Sequence, residues 1–86
     1  MKAMLDWIKS IGGHCVEIDT QRSDNHGPVK YMDGLHCIQK IGGANYIVHQ
    51  LDHLDKVPAL DDPKMEIRYR GGVGQVIGQL GKAVER

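Results

Sequence analysis

Residues 64–77, Lys-Met-Glu-Ile-Arg-Tyr-Arg-Gly-Gly-Val-Gly-Gln-Val-Ile, decide the fold. Met65, Ile67 and Tyr69 alternate with Lys64, Glu66, Arg68 and Arg70, the period of two that gives a strand one apolar and one charged face. Gly71-Gly72-Val73-Gly74 then turns the chain, and Gln75-Val76-Ile77 is placed to pair back. A hairpin here sets the expectation for everything upstream.

Working outward, each segment gives another short element. Val57-Pro58 to Asp62-Pro63 reads as loop, because each proline removes a backbone donor and biases its predecessor to extended geometry. Leu51 to Leu54 suits a single 3₁₀ turn. Tyr46 to His49 is a strand, preceded by a turn at Gly42-Gly43-Ala44-Asn45. Leu35 to Ile41 is a longer strand, with Leu35, Cys37, Gln39 and Ile41 on one face and His36, Ile38 and Lys40 on the other. Asp33-Gly34 predicts a type I′ turn joining it to a strand over Pro28 to Met32, since both central positions of that turn need positive φ. Thr20 to Gly27 is polar and reads as a loop, a junction between the N-terminal piece and the rest. Cys15 to Asp19 is a candidate strand. Met4, Ile8 and Ile11 repeat at helical spacing over Ala3 to Ile11, with Leu5 and Trp7 widening the stripe and Gly12-Gly13 ending it. The Trp7 ring is expected in the core or at a dimer contact.

The expected fold is mainly β (α+β): a small bent sheet or SH3/OB-like barrel of five to six short antiparallel strands with an N-terminal helix. The organisation divides into an extension over 1–26, a β module over 27–78 and a C-terminal tail over 79–86.

The 86 residues suffice for one domain. A chain this short buries only about 60% of its unfolded surface, so dimerisation or docking on a larger protein would add stability. Phe is absent, and the core must come from Ile, Val, Leu and Met. Eleven Lys plus Arg balance eleven Asp plus Glu, which leaves no overall field to draw the molecule onto nucleic acid or membrane. Met1 to Ile11 is broken by Lys2, Asp6 and Lys9, unlike a secretory leader, and no apolar run approaches the roughly 20 residues of a membrane span. A cytoplasmic protein with Cys15 and Cys37 as free thiols is expected.

Catalytic and cofactor chemistry find little support. Gly72-Val73-Gly74 with Gly78 makes GxGxxxG, not the dinucleotide GxGxxG, and no P-loop lysine follows. His49 and His53 are four apart, and His14-Cys15 and His36-Cys37 offer soft donors, but there is no CxxC, and His36 and Cys37 would point to opposite faces of a strand. The only serines, Ser10 and Ser23, lack a nucleophile-elbow context. Asp52, Asp55, Asp61 and Asp62 sit in solvated loop sequence, where carboxylates seldom acquire catalytic pKa values. No enzyme activity, cofactor or metal is expected. A binding face is better supported: Lys64, Arg68 and Arg70 lie at even spacing, with Lys30 and Lys40 on neighbouring strands. Small barrels with basic and aromatic surfaces hold single strands of nucleic acid. Glu66 in the middle of that face argues for a plainly solvated sheet instead. An uncovered strand edge would also accept a protein segment by strand addition.

Gly27-Pro28-Val29, Ile38-Gln39-Lys40-Ile41-Gly42, Ile47-Val48-His49, Leu54 with Val57-Pro58, and Glu66-Ile67-Arg68-Tyr69-Arg70-Gly71-Gly72-Val73-Gly74-Gln75-Val76 together resemble the KfrB domain of plasmids and other mobile elements. The resemblance covers Gly27 to Gly78. It implies a small β module with an accessory role in plasmid stability, partition or transfer, exerted by contact with protein or nucleic acid, and it brings no catalytic residues. Its motif positions Gln39, His49 and Tyr69 become candidates for a shared structural or binding role, with turn or barrel packing as the plainer reading. The expected binding set is Lys30, Lys40, His49, Lys64, Arg68, Tyr69 and Arg70. Neutral charge favours a protein partner over nucleic acid, with a homodimer or an inhibitory complex with a host defence protein as further alternatives.

Overall fold

A computed structural model describes residues 2–77. In chain order the elements are α1 (Lys2–Ser10), β1 (His14–Cys15), β2 (Arg22–His26), β3 (Val29–Met32), β4 (His36–Gly42), β5 (Asn45–Gln50), a 3₁₀ turn (Leu51–His53), β6 (Glu66–Arg70) and β7 (Val73–Ile77). They form two sheets, one ordered β1-β5-β4-β3 and the other β2-β6-β7. All pairs are antiparallel except β1 with β5.

The helix and the two sheets make three layers. The four-stranded sheet lies in the middle, which is why its central strands are buried on both faces. Ile38, Tyr46 and Val48 project toward α1 and bury Met4 and Ile8. Trp7 closes this layer, with its ring centroid 5.3 Å from Tyr31 in a stacked pair and 5.9 Å from Tyr46 edge-on. On the opposite face, Val29 and Cys37 meet Met65, Ile67, Tyr69 and Val76 of the three-stranded sheet. The N-terminal helix thus packs on the middle sheet through a cluster of its own, separate from the core between the two sheets. Leu5 and Ile11, the outer members of the helical stripe, stay exposed.

The chain passes between sheets at Gly27-Pro28, where β2 ends and β3 begins. Gly27 N donates to the Met65 carbonyl at 2.9 Å, and Lys40 N donates to the Pro28 carbonyl at 2.9 Å, so both sheets grip the crossing. Its φ of 138° is a conformation essentially reserved for glycine.

Several expectations need correction. The polar segment Thr20 to Gly27 holds strand β2, paired residue by residue with β6 from Arg22↔Arg70 to His26↔Glu66. Residues that rarely favour strands form one here because only Asn25 is buried, and its side-chain amide donates to the Ile67 carbonyl at 3.1 Å. The expected strand over Cys15 to Asp19 is reduced to His14–Cys15. The strand expected from Lys64 starts at Glu66 instead, and Lys64 N is turned toward Asp62 Oδ1 at 2.9 Å. At Asp33-Gly34 the hairpin forms without a type I′ turn, since neither residue has positive φ. Asp33 Oδ1 holds the bend instead, accepting from Leu35 N at 2.8 Å and His36 N at 2.7 Å. The paired positive φ values fall at Gly71 (61°) and Gly72 (89°), which make the tight β6–β7 turn, so Val73 and Gly74 already belong to β7. The expected mainly β fold with an N-terminal helix is present in its bent-sheet form; among the described residues there are seven strands in two sheets, against five or six foreseen, and no closed barrel. The expected tail over 79–86 lies outside the described residues.

Candidate functional site

The motif positions Gln39, His49 and Tyr69 meet in the interior between the two sheets. Cys37↔His49 and Gln39↔Ile47 are register pairs of β4 and β5, so alternation points Gln39 and His49 to the same side of the middle sheet. Tyr69 projects from β6 to meet them. All three are at most 1% exposed.

Their hydrogen bonds fix every proton. Gln39 Nε2 donates to two carbonyls, Asn25 O at 2.9 Å and Gly27 O at 3.0 Å, which sets the orientation of the amide. Gln39 Oε1 therefore faces His49 Nε2 at 2.8 Å and accepts from its N–H. In a neutral imidazole, Nδ1 is then the acceptor, and it receives the Tyr69 hydroxyl proton at 2.7 Å. The sequence of donation runs from Tyr69 to His49 to Gln39 to the backbone where β2 crosses into β3. Burial lowers the His49 pKa to about 4 and raises that of the Tyr69 phenol. The ring is thus neutral at physiological pH, as the hydrogen bonds require. This relay joins β4, β5 and β6 to the crossing loop and spends its polar atoms on the protein itself. His49 thus bonds a phenol and an amide, both within the interior.

Of the seven residues proposed for binding, the structure brings Arg68 and Arg70 together on the outer face of β6 and puts His49 and Tyr69 in the core. Lys64 lies just before β6. Lys30 is on β3, with Nζ 2.7 Å from Asp61 Oδ1. Lys40, on β4, borders a shallow pocket of about 290 Å³ shared with His26, Gly27, Pro28, Ile41 and Gly42.

The outer face of the three-stranded sheet carries charges of both signs in register. Arg68 Nη2 lies 2.9 Å from Glu66 Oε2, and Arg68 Nε lies 3.4 Å from Asp24 Oδ1. The hydrogen bond and charge of Glu66, with the charge of Asp24, push the guanidinium pKa further up. Arg70 Nη2 reaches the same Asp24 oxygen at 3.1 Å. Arg22 faces Arg70 across the ladder, and His26 faces Glu66 at 3.7 Å. Sequence reasoning missed Arg22, Asp24 and His26 because it read β2 as loop. Alternation within 22–26 was the one available clue to their common face.

Among the described residues, no three His, Cys, Asp or Glu gather where they could hold a metal ion, and no helix is long and apolar enough to cross a membrane. Both cysteines are free, Cys15 exposed and Cys37 buried. Burial pushes the Cys37 thiol up to about 12, far from the thiolate range at neutral pH. A thiol-exchange assay on the native protein is therefore expected to show one fast equivalent, from Cys15, with Cys37 reacting only on unfolding. Two fast equivalents would show that the layer between the sheets opens readily.

Fold and site together define a small, mainly β domain of two sheets and a helix, stitched by a buried Gln-His-Tyr relay. The profile of the KfrB Domain family matches residues 24–78, which run from within β2 past the end of β7. The chain belongs to the KfrB domain family, a plasmid-associated family. No match was found among curated proteins or solved structures.

Proposed function

We propose that the domain is a non-catalytic interaction module of a plasmid or other mobile element, working in the cytoplasm in maintenance, partition or transfer, and that it acts by binding a protein. One observation carries the choice of partner: Arg68 and Arg70, the strongest candidates for a phosphate track, bring their own counter-ions in Asp24 and Glu66. A phosphate would have to displace these carboxylates, which reduces the counterion-release gain that drives nucleic-acid binding. The relay adds support, since its most perturbed titratable groups, His49 and Tyr69, are committed to holding the sheets together. Protein contacts tolerate a mixed-charge surface and gain from exposed aliphatic side chains.

The test is affinity capture of the tagged protein from a plasmid-bearing host, with and without nuclease. A protein partner that survives nuclease is expected. The Arg68→Glu, Arg70→Glu variant should still capture it, and both proteins should bind single-stranded DNA only weakly. Capture that vanishes with nuclease, together with a steeply salt-dependent DNA affinity lost in the double variant, would overturn this reading in favour of a single-strand nucleic-acid binder.

A further inference from the structure

Among the described residues, the two most exposed large hydrophobic side chains, Leu35 at 71% and Val57 at 67%, line the same groove. The groove holds about 400 Å³ and is completed by Gly34, His36, Gln50, Leu51 and Asp52. Scattered exposed aliphatics are ordinary, but two that share one concavity form a patch. Its walls are held in place. The Leu35 carbonyl accepts from Leu51 N at 2.8 Å, which ties the β3–β4 bend to the 3₁₀ turn. Asp33 clamps the bend from inside, and Pro58 fixes the backbone after Val57. Little ordering entropy would therefore be lost on binding.

One carboxylate lines the groove. Asp52 lines it with its side chain 85% exposed, and its nearest cationic candidate is His53 at 3.9 Å. Asp33 borders the lining residue Gly34, and its carboxyl is held below the usual carboxylate range by the backbone N–H groups of Leu35 and His36. Among the described residues no Lys or Arg lines the groove, and Lys56 adjoins the lining residue Val57. The lining residue His36 also carries the one buried side-chain polar atom without a hydrogen bond among the described residues, Nδ1, which stands 3.7 Å from Asp33 Oδ1. Such atoms are rare in folded proteins.

Resting on the protein-binding reading above, we propose that this groove is the docking site for a partner protein segment that inserts an aliphatic or aromatic side chain between Leu35 and Val57 and sets a neighbouring Lys or Arg against Asp52. Aliphatic contact supplies the affinity, and the carboxylates select the flanking charge.

Two experiments test this. A displayed library of random 12-residue peptides is panned against the wild-type protein, with counter-selection against the Leu35→Asp, Val57→Asp variant. Enriched peptides are expected to share an apolar residue beside Lys or Arg. Asp52→Lys should weaken the best of them at least about tenfold, a loss that shrinks as salt rises. Both aspartates replace exposed side chains, and an unchanged melting temperature confirms that the variant folds. Peptides without the basic neighbour, or peptides that bind the variant equally, overturn the proposal. The same variant then enters the capture experiment. A nuclease-resistant partner retained by the variant sinks the groove and leaves the protein-binding reading standing, whereas a wild-type protein that captures only a second copy of itself, or no protein, sinks both.

Discussion

Gly27→Ala is expected to destabilise the domain by about 4 kcal/mol, the largest effect of any Gly→Ala change among the described residues. Two costs combine. The residue sits at φ 138°, where a side chain is strained whatever the space, and a methyl group built there falls onto the Lys40 carbonyl oxygen. That oxygen is backbone of a central strand and cannot swing away. Relief by shifting the crossing would stretch the bonds from Gly27 N to Met65 O and from Gln39 Nε2 to Gly27 O, which hold the two sheets together. A domain of this size holds roughly 4–13 kcal/mol in all, so the variant should lose from about a third to all of its stability. Gly42 provides the control. Its φ of 142° is equally unusual, but a methyl group there meets nothing within 4 Å, and Gly42→Ala should cost only the backbone strain, about 1–3 kcal/mol. Urea unfolding of both variants separates the contributions. Equal midpoints would mean that the close approach to Lys40 is not what makes residue 27 glycine.

Where the chain alternates strongly, the fold was legible. Met65, Ile67 and Tyr69 announced β6, and the helical stripe around Met4 and Ile8 announced α1. Strand β2 was hidden because its stability comes from long-range partners, Ile67 O and Gln39 Nε2, which lie far away in sequence. Local propensity in Arg-Ser-Asp-Asn-His argues against a strand, and tertiary pairing overrides it. The Asp33-Gly34 turn failed for a related reason. Asp33 supplies a carboxylate that satisfies two amides in a wider bend, and this competes with the positive-φ turn that the dipeptide also permits. Gly71-Gly72, read only as part of a longer turn, proved to be the tight one.

The site was half legible. Gln39, His49 and Tyr69 stood out as motif positions, yet nothing in spacing could show that residues 10 and 20 apart would join in one chain of donors. A lone histidine and a glutamine in apolar strands each look like tolerated exceptions. Together they satisfy one another, so the interior accepts groups that would each cost about 1–3 kcal/mol if left unpaired. The mixed-charge face shows the reverse. Lys64, Arg68 and Arg70 looked like a basic strip only while Asp24 was assigned to a loop; the register of β2 with β6 puts that carboxylate between the two arginines.

Acid should weaken the domain through His49 before most carboxylates are protonated. In the unfolded chain this imidazole takes up its proton near pH 6.5, whereas burial lowers its folded pKa to about 4. Between those values the unfolded state binds the extra proton, so stability falls as pH falls, at about 1.4 kcal/mol per pH unit. The full loss from this group is about 3 kcal/mol; above pH 6.5 it contributes no slope, and below about pH 4 its slope ends. Two variants isolate it. His49→Leu removes the titration and leaves Gln39 Oε1 and the Tyr69 hydroxyl without partners, so it should cost about 3 kcal/mol at pH 7 and flatten the decline between pH 6.5 and 4. Tyr69→Phe leaves only His49 Nδ1 without its donor, so it should cost about 1–2 kcal/mol at pH 7 while keeping a decline of similar steepness, because the imidazole is still buried. Urea unfolding at half-unit pH steps across that window reads all three proteins. If wild type and His49→Leu decline in parallel, the imidazole is already charged or hydrated in the folded state, and the donor order from Tyr69 to the Gly27 crossing is wrong.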